Sequence, residues 1–303
     1  MFIGIDFGTC FSSVAFMNGH IPVTDYISDY NRMGVPTLFM YSKKSNKELF
    51  GCDCTTVEAT MNSGDVIKYM KKIIRENPNN LNKTVQSGGI NYSIKEVVKK
   101  FLTYLIEQAK EAGAKSGEFS NTDIEGVTIT APVGIADHQM TATDYKKLLV
   151  STITEITGLD KTKVNVLEEP VAAAISYLYS ENIKKKYTEN QTILVFDLGG
   201  GTLDTTIVEY KPSKNEYNIK IKEGDLKLGG NDWDDVLGQA VLKKLGITQD
   251  FASKDEKARF QTAIVRLKQD LSYIDETMPF FEEISKAYQS QQKKMQQYIQ
   301  RNK

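Results

Sequence analysis

A repeat constrains this chain more than any other feature. IGIDFGTCFSSVAF stands near the amino terminus, and LVFDLGGGTLDTTIV returns beyond residue 193. Each is an apolar strand ending in an aspartate, then a bulky apolar residue, glycine, threonine and an alternating strand. In sequence, Asp6 corresponds to Asp197, and Gly8-Thr9 to Gly201-Thr202. A duplicated strand-turn-strand unit predicts two similar lobes facing each other, with a ligand held between the turns.

The residue types suggest which ligand. Glycines let the backbone approach closely and turn N–H groups toward one point, which is how a loop cradles phosphate oxygens. Two such loops can grip a polyphosphate from both ends. Aspartates at the strand ends would repel phosphate directly, but they suit a hydrated Mg²⁺ that touches both carboxylate and phosphate. The threonines and Ser12 or Ser13 can donate to phosphate oxygens. Neither Gly-x-x-x-x-Gly-Lys-[Ser/Thr] nor Gly-x-Gly-x-x-Gly occurs, which removes the common P-loop and dinucleotide readings.

Composition sets outer bounds. The 303 residues, 40% of them hydrophobic, can fill one large domain or two lobes. Thirty-eight basic residues oppose 39 acidic ones for a net charge of -1, so no overall pull toward nucleic acid or an anionic membrane is expected. Cys10, Cys52 and Cys54 are odd in number and poorly spaced for a disulfide framework, so a reducing compartment is expected. With His20 and His138 they do not complete a zinc set. Asp6 interrupts the apolar start and no run reaches membrane-spanning length, so a cytoplasmic chain without a signal peptide is expected.

Periodicity places the elements. Ile94, Val97, Val98, Phe101, Leu102, Leu105, Ile106 and Ala109 form one helical stripe. GVTITA at 126–131 reads as a buried strand, 145–156 as a helix ended by Gly158, and KVNVLEEP as a strand running into Glu168-Glu169-Pro170. VAAAISYLY is a helix with proline in its first turn. A lysine-rich strand pair is expected over Tyr217–Lys222, and Gly229-Gly230 feeds Asn231 or Asp232 as a helix N-cap. The charged ENIKKKYTENQ marks a boundary near Lys186, giving a first lobe over 1–186, with an inserted subdomain over 37–115, and a partial second lobe over 187–303 with a carboxy-terminal helix.

The motifs IGIDFGTCFSSVA, LFGCDC, MKKIIR, VTITAPVGIADHQ, VLEEPVAAAISY, LVFDLGGGTLDTTIV and LKLGGNDWDD run in that order along the chain. In this they resemble the nucleotide-binding domain of the seventy-kilodalton heat-shock chaperones of the DnaK type, within the actin and hexokinase superfamily of two-lobed ATPases. The resemblance spans Met1 to about Ser272. It implies an α/β fold with a duplicated ribonuclease-H-like core, whose second lobe is here incomplete. It further implies ATP or ADP held with Mg²⁺ between the lobes, slow hydrolysis of the γ-phosphate, and lobe movements that report nucleotide state.

Carried over motif by motif, the resemblance gives Asp6, Glu169, Asp197 and Asp204 as the acidic residues around metal, water and proton. Asp6, Asp197 and Asp204 would stand on the metal side, through water. Gly8, Thr9, Cys10 and Phe11 form the first phosphate loop, and Gly199, Gly200, Gly201 and Thr202 the second. Lys71 takes the place of the lysine that reaches the γ-phosphate, with Lys68 as the alternative register. Glu169 or Asp197 would act through water as base. Gly229, Gly230, Lys268 and Ser272 add further nucleotide contacts, and Pro132 matches the switch proline.

Several residues depart from the family pattern. Cys10 replaces a threonine with a weaker donor. Met140 replaces an arginine that couples nucleotide state to a substrate-binding domain. Val265 and Gln269 replace a ribose-binding glutamate and an adenine-stacking arginine, so reduced or altered base selectivity is expected. The later strands and adenine turn of the second lobe are missing, and Thr277–Lys303 reads as an exposed or partner-seeking helix. Its open sheet would need a co-chaperone, another chain or that helix to cover it. Two other readings compete with the ATPase: a non-hydrolysing nucleotide- or partner-binding module, and an actin-like filament former.

Overall fold

The computed structural model describes residues 1–18, 21–23, 34–55, 65–77, 80–117, 123–132, 142–180, 187–225, 228–247 and 250–272. Met140 and Thr277–Lys303 lie outside the described residues, as do His20 and His138.

The first sheet grows from the amino-terminal motif. Strand β1 (Phe2–Asp6) turns into β2 (Phe11–Asn18), which pairs antiparallel with β3 (Ile21–Val23) and with the short β4 (Val35–Pro36). Two hairpins follow, β5 (Phe39–Ser42) with β6 (Lys47–Phe50), and β7 (Thr84–Ser87) with β8 (Ile90–Ser93). Between them helix α1 (Met70–Glu76) leaves the left-handed residue Tyr69, whose φ is 57°.

Helix α2 (Ile94–Lys115) carries the stripe read from the sequence and extends it by Ala112. Ser93 caps it, its hydroxyl accepting from the Glu96 N–H at 3.1 Å. The stripe packs on β1 and β2, and Phe7, Phe16 and Phe101 are wholly buried there. Each such side chain contributes roughly 1.5–3 kcal/mol by leaving water.

Strand β9 (Gly126–Ala131) lies parallel to β1, and β10 (Val164–Glu168) parallel to β9, so the sheet order is β10-β9-β1-β2-β3. Helix α3 (Ala142–Thr157) joins them and stops at Gly158, whose φ of 72° suits glycine. Both parallel strands are reached by crossovers, and β1 and β10 deliver Asp6 and the Glu168-Glu169 pair to the same end of the sheet. Helix α4 (Glu169–Ser180) starts there.

The second motif builds a meander of β11 (Gln191–Leu198), β12 (Leu203–Lys211) and β13 (Glu216–Asp225). Tyr217–Lys222 is one strand rather than a pair. The chain has already reversed before it, at Asn215, whose φ is 51°, and Tyr217 to Lys222 then pair with β12 on either side of one register shift. One face, with Val208 and Tyr210 buried, packs on α4. Leu194 and Phe196, each 64% exposed, belong to the other face with Ile221. Strand β11 stands where β1 stands in the first lobe. Among the described residues it has no counterpart of β9 on its outer edge, and none of them covers that face.

Helices α5 (Gly230–Leu245) and α6 (Lys254–Ser272) pack on each other. Gly229, not Asn231 or Asp232, is the N-cap of α5. Its N–H donates to the Asp232 carboxylate at 2.7 Å, so Asp232 closes the first turn from inside it, the carboxylate half of a capping box. The architecture is therefore α/β, two lobes built on one duplicated motif, the second with a smaller sheet than the first among the described residues.

Candidate nucleotide cleft

Strand register corrects the alignment of the repeat. Asp6 faces Ser13 across the first hairpin and Asp197 faces Asp204 across the second, seven positions apart in both cases. Gly8 is thus the counterpart of Gly199 rather than Gly201, and Thr202 takes the place of Phe11. Three consecutive glycines leave the alignment degenerate in sequence, and only the pairing of the flanking strands decides it.

The first loop is held from below by a buried triangle of hydroxyls. Ser12 Oγ accepts from the Gly8 N–H at 3.2 Å and meets Thr37 Oγ1 at 2.8 Å, while Thr37 donates to the Gly8 carbonyl at 3.1 Å. Ser12 and Thr37 are buried, so Ser12 shapes the loop and does not stand ready for phosphate. A Cβ on Gly8 would sit 1.8 Å from the Phe11 carbonyl oxygen, which reserves that position for glycine. Phe11 itself opens β2, paired with Pro36.

The second loop is anchored to α5. Gly230 and Asn231 donate their N–H groups to the Gly199 and Gly200 carbonyls at 3.0 and 2.8 Å. Gly229 lies against backbone atoms of Gly201 and Thr202, the nearest 2.5 Å from where its Cβ would be. Thr202 spends its hydroxyl on Asp204, donating to the carboxylate at 2.9 Å.

The two loops touch. A Cβ on Gly200 would stand 2.2 Å from Cys10 Sγ, and one on Gly201 would stand 3.1 Å from the Thr9 methyl. Cys10 donates across the cleft to Asn231 Oδ1 at 3.6 Å. Burial pushes its thiol pKa up, with Asn231 acting in the other direction, so Cys10 behaves as a neutral donor and not as a nucleophile.

Behind the loops the acidic residues converge. Glu169 Oε1 receives Lys71 Nζ at 2.5 Å, an ion pair with the lysine only 8% exposed. Burial raises the Glu169 carboxyl above its ordinary value. Lys71 opposes that shift, and the Asp6 and Asp197 charges add to it. Asp197 is raised too, by burial first and then by Asp204 and Asp6, with Lys71 opposing. Asp6 is fixed by Thr130, whose hydroxyl donates to it at 2.6 Å. Glu168 turns away to Lys146 on α3.

No set of three His, Cys, Asp or Glu side chains among the described residues is arranged to hold an ion directly. The Asp204 and Asp6 charges that help raise Asp197 mark a cluster short of positive charge, and carboxylates placed this way would suit a cation that keeps its waters.

The remaining candidates are spread along α6. Lys268 reaches the cleft, bound to Asp234 at 2.7 Å and to the Gly230 carbonyl at 2.8 Å. Among the described residues Ser272 donates to its own helix alone, at the Lys268 carbonyl. Lys68 has its pKa lowered by burial, with the Cys10 thiol acting against that shift. Thr130, Thr37 and Asp234 escaped the sequence reading, and Asn231 entered it only as a helix cap, since each earns its place through a partner far along the chain. The alternation in GVTITA, which sets Thr128 and Thr130 on one face, was the one available signal for Thr130.

No helix among the described residues is long and apolar enough to cross a membrane. A family model described as Hsp70 protein matches residues 2–303. The chain is 28% identical over 292 residues to the chaperone protein DnaK of Mycoplasmopsis pulmonis, covering 94% of this chain and 43% of that protein. To the DnaK of Ureaplasma parvum it is 30% identical over 289 residues, covering 92% and 42%. The chaperone protein dnaK of Trieres chinensis is 28% identical over 307 residues, with coverage of 92% and 45%. The chain spans less than half the length of these relatives. With two glycine loops in contact across a carboxylate-lined cleft, and with that match along almost its whole length, the chain belongs to the Hsp70 family.

Proposed function

We propose that the chain binds ATP with Mg²⁺ between the Gly8–Phe11 and Gly199–Thr202 loops and hydrolyses it slowly, as the ATPase part of an Hsp70-type chaperone. The observation that carries this reading is the Lys71–Glu169 pair, buried beside Asp6 and Asp197 at the floor of the cleft. Family membership and the DnaK relatives point the same way.

The residues divide the work by chemistry. Backbone N–H groups of the loops take phosphate oxygens, and contact between the loops aligns the two grips. Mg²⁺, held by Asp6, Asp197 and Asp204 through water, would neutralise charge on the phosphates. Glu169, with its carboxyl raised toward neutrality, accepts a proton from the attacking water better than an ordinary glutamate would. Asp197 is the alternative acceptor. Lys71, fixed by Glu169, stabilises charge that develops on the transferred phosphoryl group. Lys268 steadies the second loop through Gly230.

Where Val265 and Gln269 stand on α6, neither a carboxylate nor a guanidinium meets the nucleoside, which favours selection by phosphate over selection by base. That favours one second reading, a binding module that holds nucleotide without turning it over. The face with Leu194 and Phe196, which none of the described residues covers, calls for a cover, and a co-chaperone or another protein would supply it. Phosphate release under single-turnover conditions separates the two readings. The ATPase gives release that Glu169→Gln lowers at least 100-fold. Release equal to that of Glu169→Gln, with ATP still bound, leaves the binding module.

A further inference from the structure

Each glycine loop has its carbonyls bonded on one side, and the two lobes do this with different parts. In the second loop the Gly199 and Gly200 carbonyls accept from the N–H groups of Gly230 and Asn231, at 3.0 and 2.8 Å, in the first turn of α5. In the first loop the Gly8 carbonyl, the counterpart of that of Gly199, accepts from the Thr37 hydroxyl at 3.1 Å. The Cys10 carbonyl accepts from the Thr37 N–H at 2.9 Å. A single residue thus does in the first lobe what a helix terminus does in the second.

The order of protons around Thr37 is fixed. Its hydroxyl has one hydrogen, which goes to the Gly8 carbonyl, so in the 2.8 Å contact with Ser12 it is Ser12 that donates. Ser12 Oγ in turn accepts from the Gly8 N–H at 3.2 Å. Both main-chain polar groups of Gly8 are therefore closed into one ring through two hydroxyls, and Ser12 and Thr37 are 0% and 1% exposed. Buried hydroxyls in a closed ring polarise one another, and loss of one member leaves its neighbours unpaired.

The local chain delivers Thr37 to this place. Strand β4 pairs with Phe11 and Ser12, and the Leu38 N–H then donates to the Pro36 carbonyl at 2.8 Å, a three-residue turn with Thr37 at its centre.

A peptide group is planar and trans, so its N–H points opposite to its C=O. Drawing the Gly8 and Cys10 carbonyls toward Thr37 turns the Thr9 and Phe11 N–H groups the other way, off the buried floor. The same geometry at Gly199 and Gly200 turns the N–H groups of Gly200 and Gly201 away from α5. The contact between Gly200 and Cys10 sets the two loops side by side.

Resting on the nucleotide reading above, we infer that Thr37 is the positioning residue of the first phosphate loop: it aims the loop's amides at the phosphates by holding the carbonyls behind them, without touching the nucleotide itself.

Titration calorimetry of the full chain with Mg-ATP and with magnesium tripolyphosphate tests this, alongside steady-state phosphate release and amide NMR. Thr37→Val keeps the shape and the N–H but removes the hydroxyl, and is expected to weaken both ligands about tenfold. KM should rise in step, with a smaller effect on kcat. Thr37→Ser puts the hydroxyl back and should bind within about threefold of wild type. A residue that served only the fold would lower the melting temperature without moving the affinity of the folded protein. In wild type the Thr9 and Gly200 amide resonances should shift on adding Mg-ATP, and in Thr37→Val the Thr9 shift should shrink while the Gly200 shift stays. If wild type binds Mg-ATP and folded Thr37→Val binds it within about twofold of wild type, the inference is overturned while the nucleotide reading stands. Should Thr37→Val fail to fold, the wild-type spectrum decides: a Thr9 amide that saturating Mg-ATP leaves unmoved overturns the inference, and a shifted one supports it. Wild type that takes up no nucleotide at millimolar concentration overturns both.

Discussion

Gly200 lies so close to Cys10 that a methyl group on it would stand 2.2 Å from the sulfur. The two residues come from opposite halves of the repeat, 190 positions apart in sequence, and their contact joins the two loops into one cradle. Gly200→Ala should therefore weaken Mg-ATP binding about tenfold by wedging the loops apart. Adding Cys10→Ala should recover much of that affinity, since it removes the sulfur and leaves only the Cys10 Cβ at 3.0 Å. Titration calorimetry on the single and double variants reads the coupling.

Gly229 offers a harder test, because its neighbours are backbone. A Cβ there would stand 2.5–2.7 Å from three main-chain atoms of Gly201 and Thr202, which no rotamer relieves. Gly229→Ala should pull the second loop off α5 and lower the melting temperature by several degrees. Gly4→Ala, with nothing within 4 Å of the new methyl, should leave it unchanged. Thermal unfolding by circular dichroism compares the two.

The buried ion pair fixes the sign of another pair of variants. Lys71→Met leaves Glu169 buried without its cation, a loss of about 3–5 kcal/mol. Lys71→Met with Glu169→Gln removes both charges and should be clearly more stable than Lys71→Met alone. Urea unfolding gives both values, and equal stabilities of the single and double variants would contradict the pairing.

Asp197 makes stability depend on pH in a defined direction. Its folded carboxyl is raised by burial and by Asp204 and Asp6, so the folded protein holds that proton more tightly than the unfolded chain does. Above the raised value the ionised carboxylate subtracts stability. The subtraction fades as pH falls through that value to the ordinary aspartate range. Asp197→Asn should then melt higher than wild type at pH 7 without Mg²⁺, by about 1–2 °C because solvent screens a half-exposed carboxylate. The advantage should vanish near pH 4. A melting series from pH 4 to pH 8 checks it.

Elements fixed by local periodicity could be read from the chain alone. Ile94 to Ala109 occupy one face whatever lies elsewhere, and α2 forms with that face buried. Gly158 ends α3 for an equally local reason. The site was legible only as residue types. That Asp6 meets Thr130 depends on β9 pairing in parallel beside β1, a contact 124 residues distant. Ser12 reads as an exposed loop hydroxyl until Thr37 closes over it. The triple glycine hides its own register, and Asp232 looks like an N-cap until Gly229 is seen to take that place.

The most direct test of the account is titration calorimetry of the wild-type chain with ATP, with and without Mg²⁺, against adenosine. A cradle built for phosphates by two touching loops predicts saturable binding of Mg-ATP and binding at least tenfold weaker when Mg²⁺ is withheld. It also predicts little or no heat from adenosine. Equal affinity for adenosine and Mg-ATP, or no heat from millimolar Mg-ATP, would contradict it.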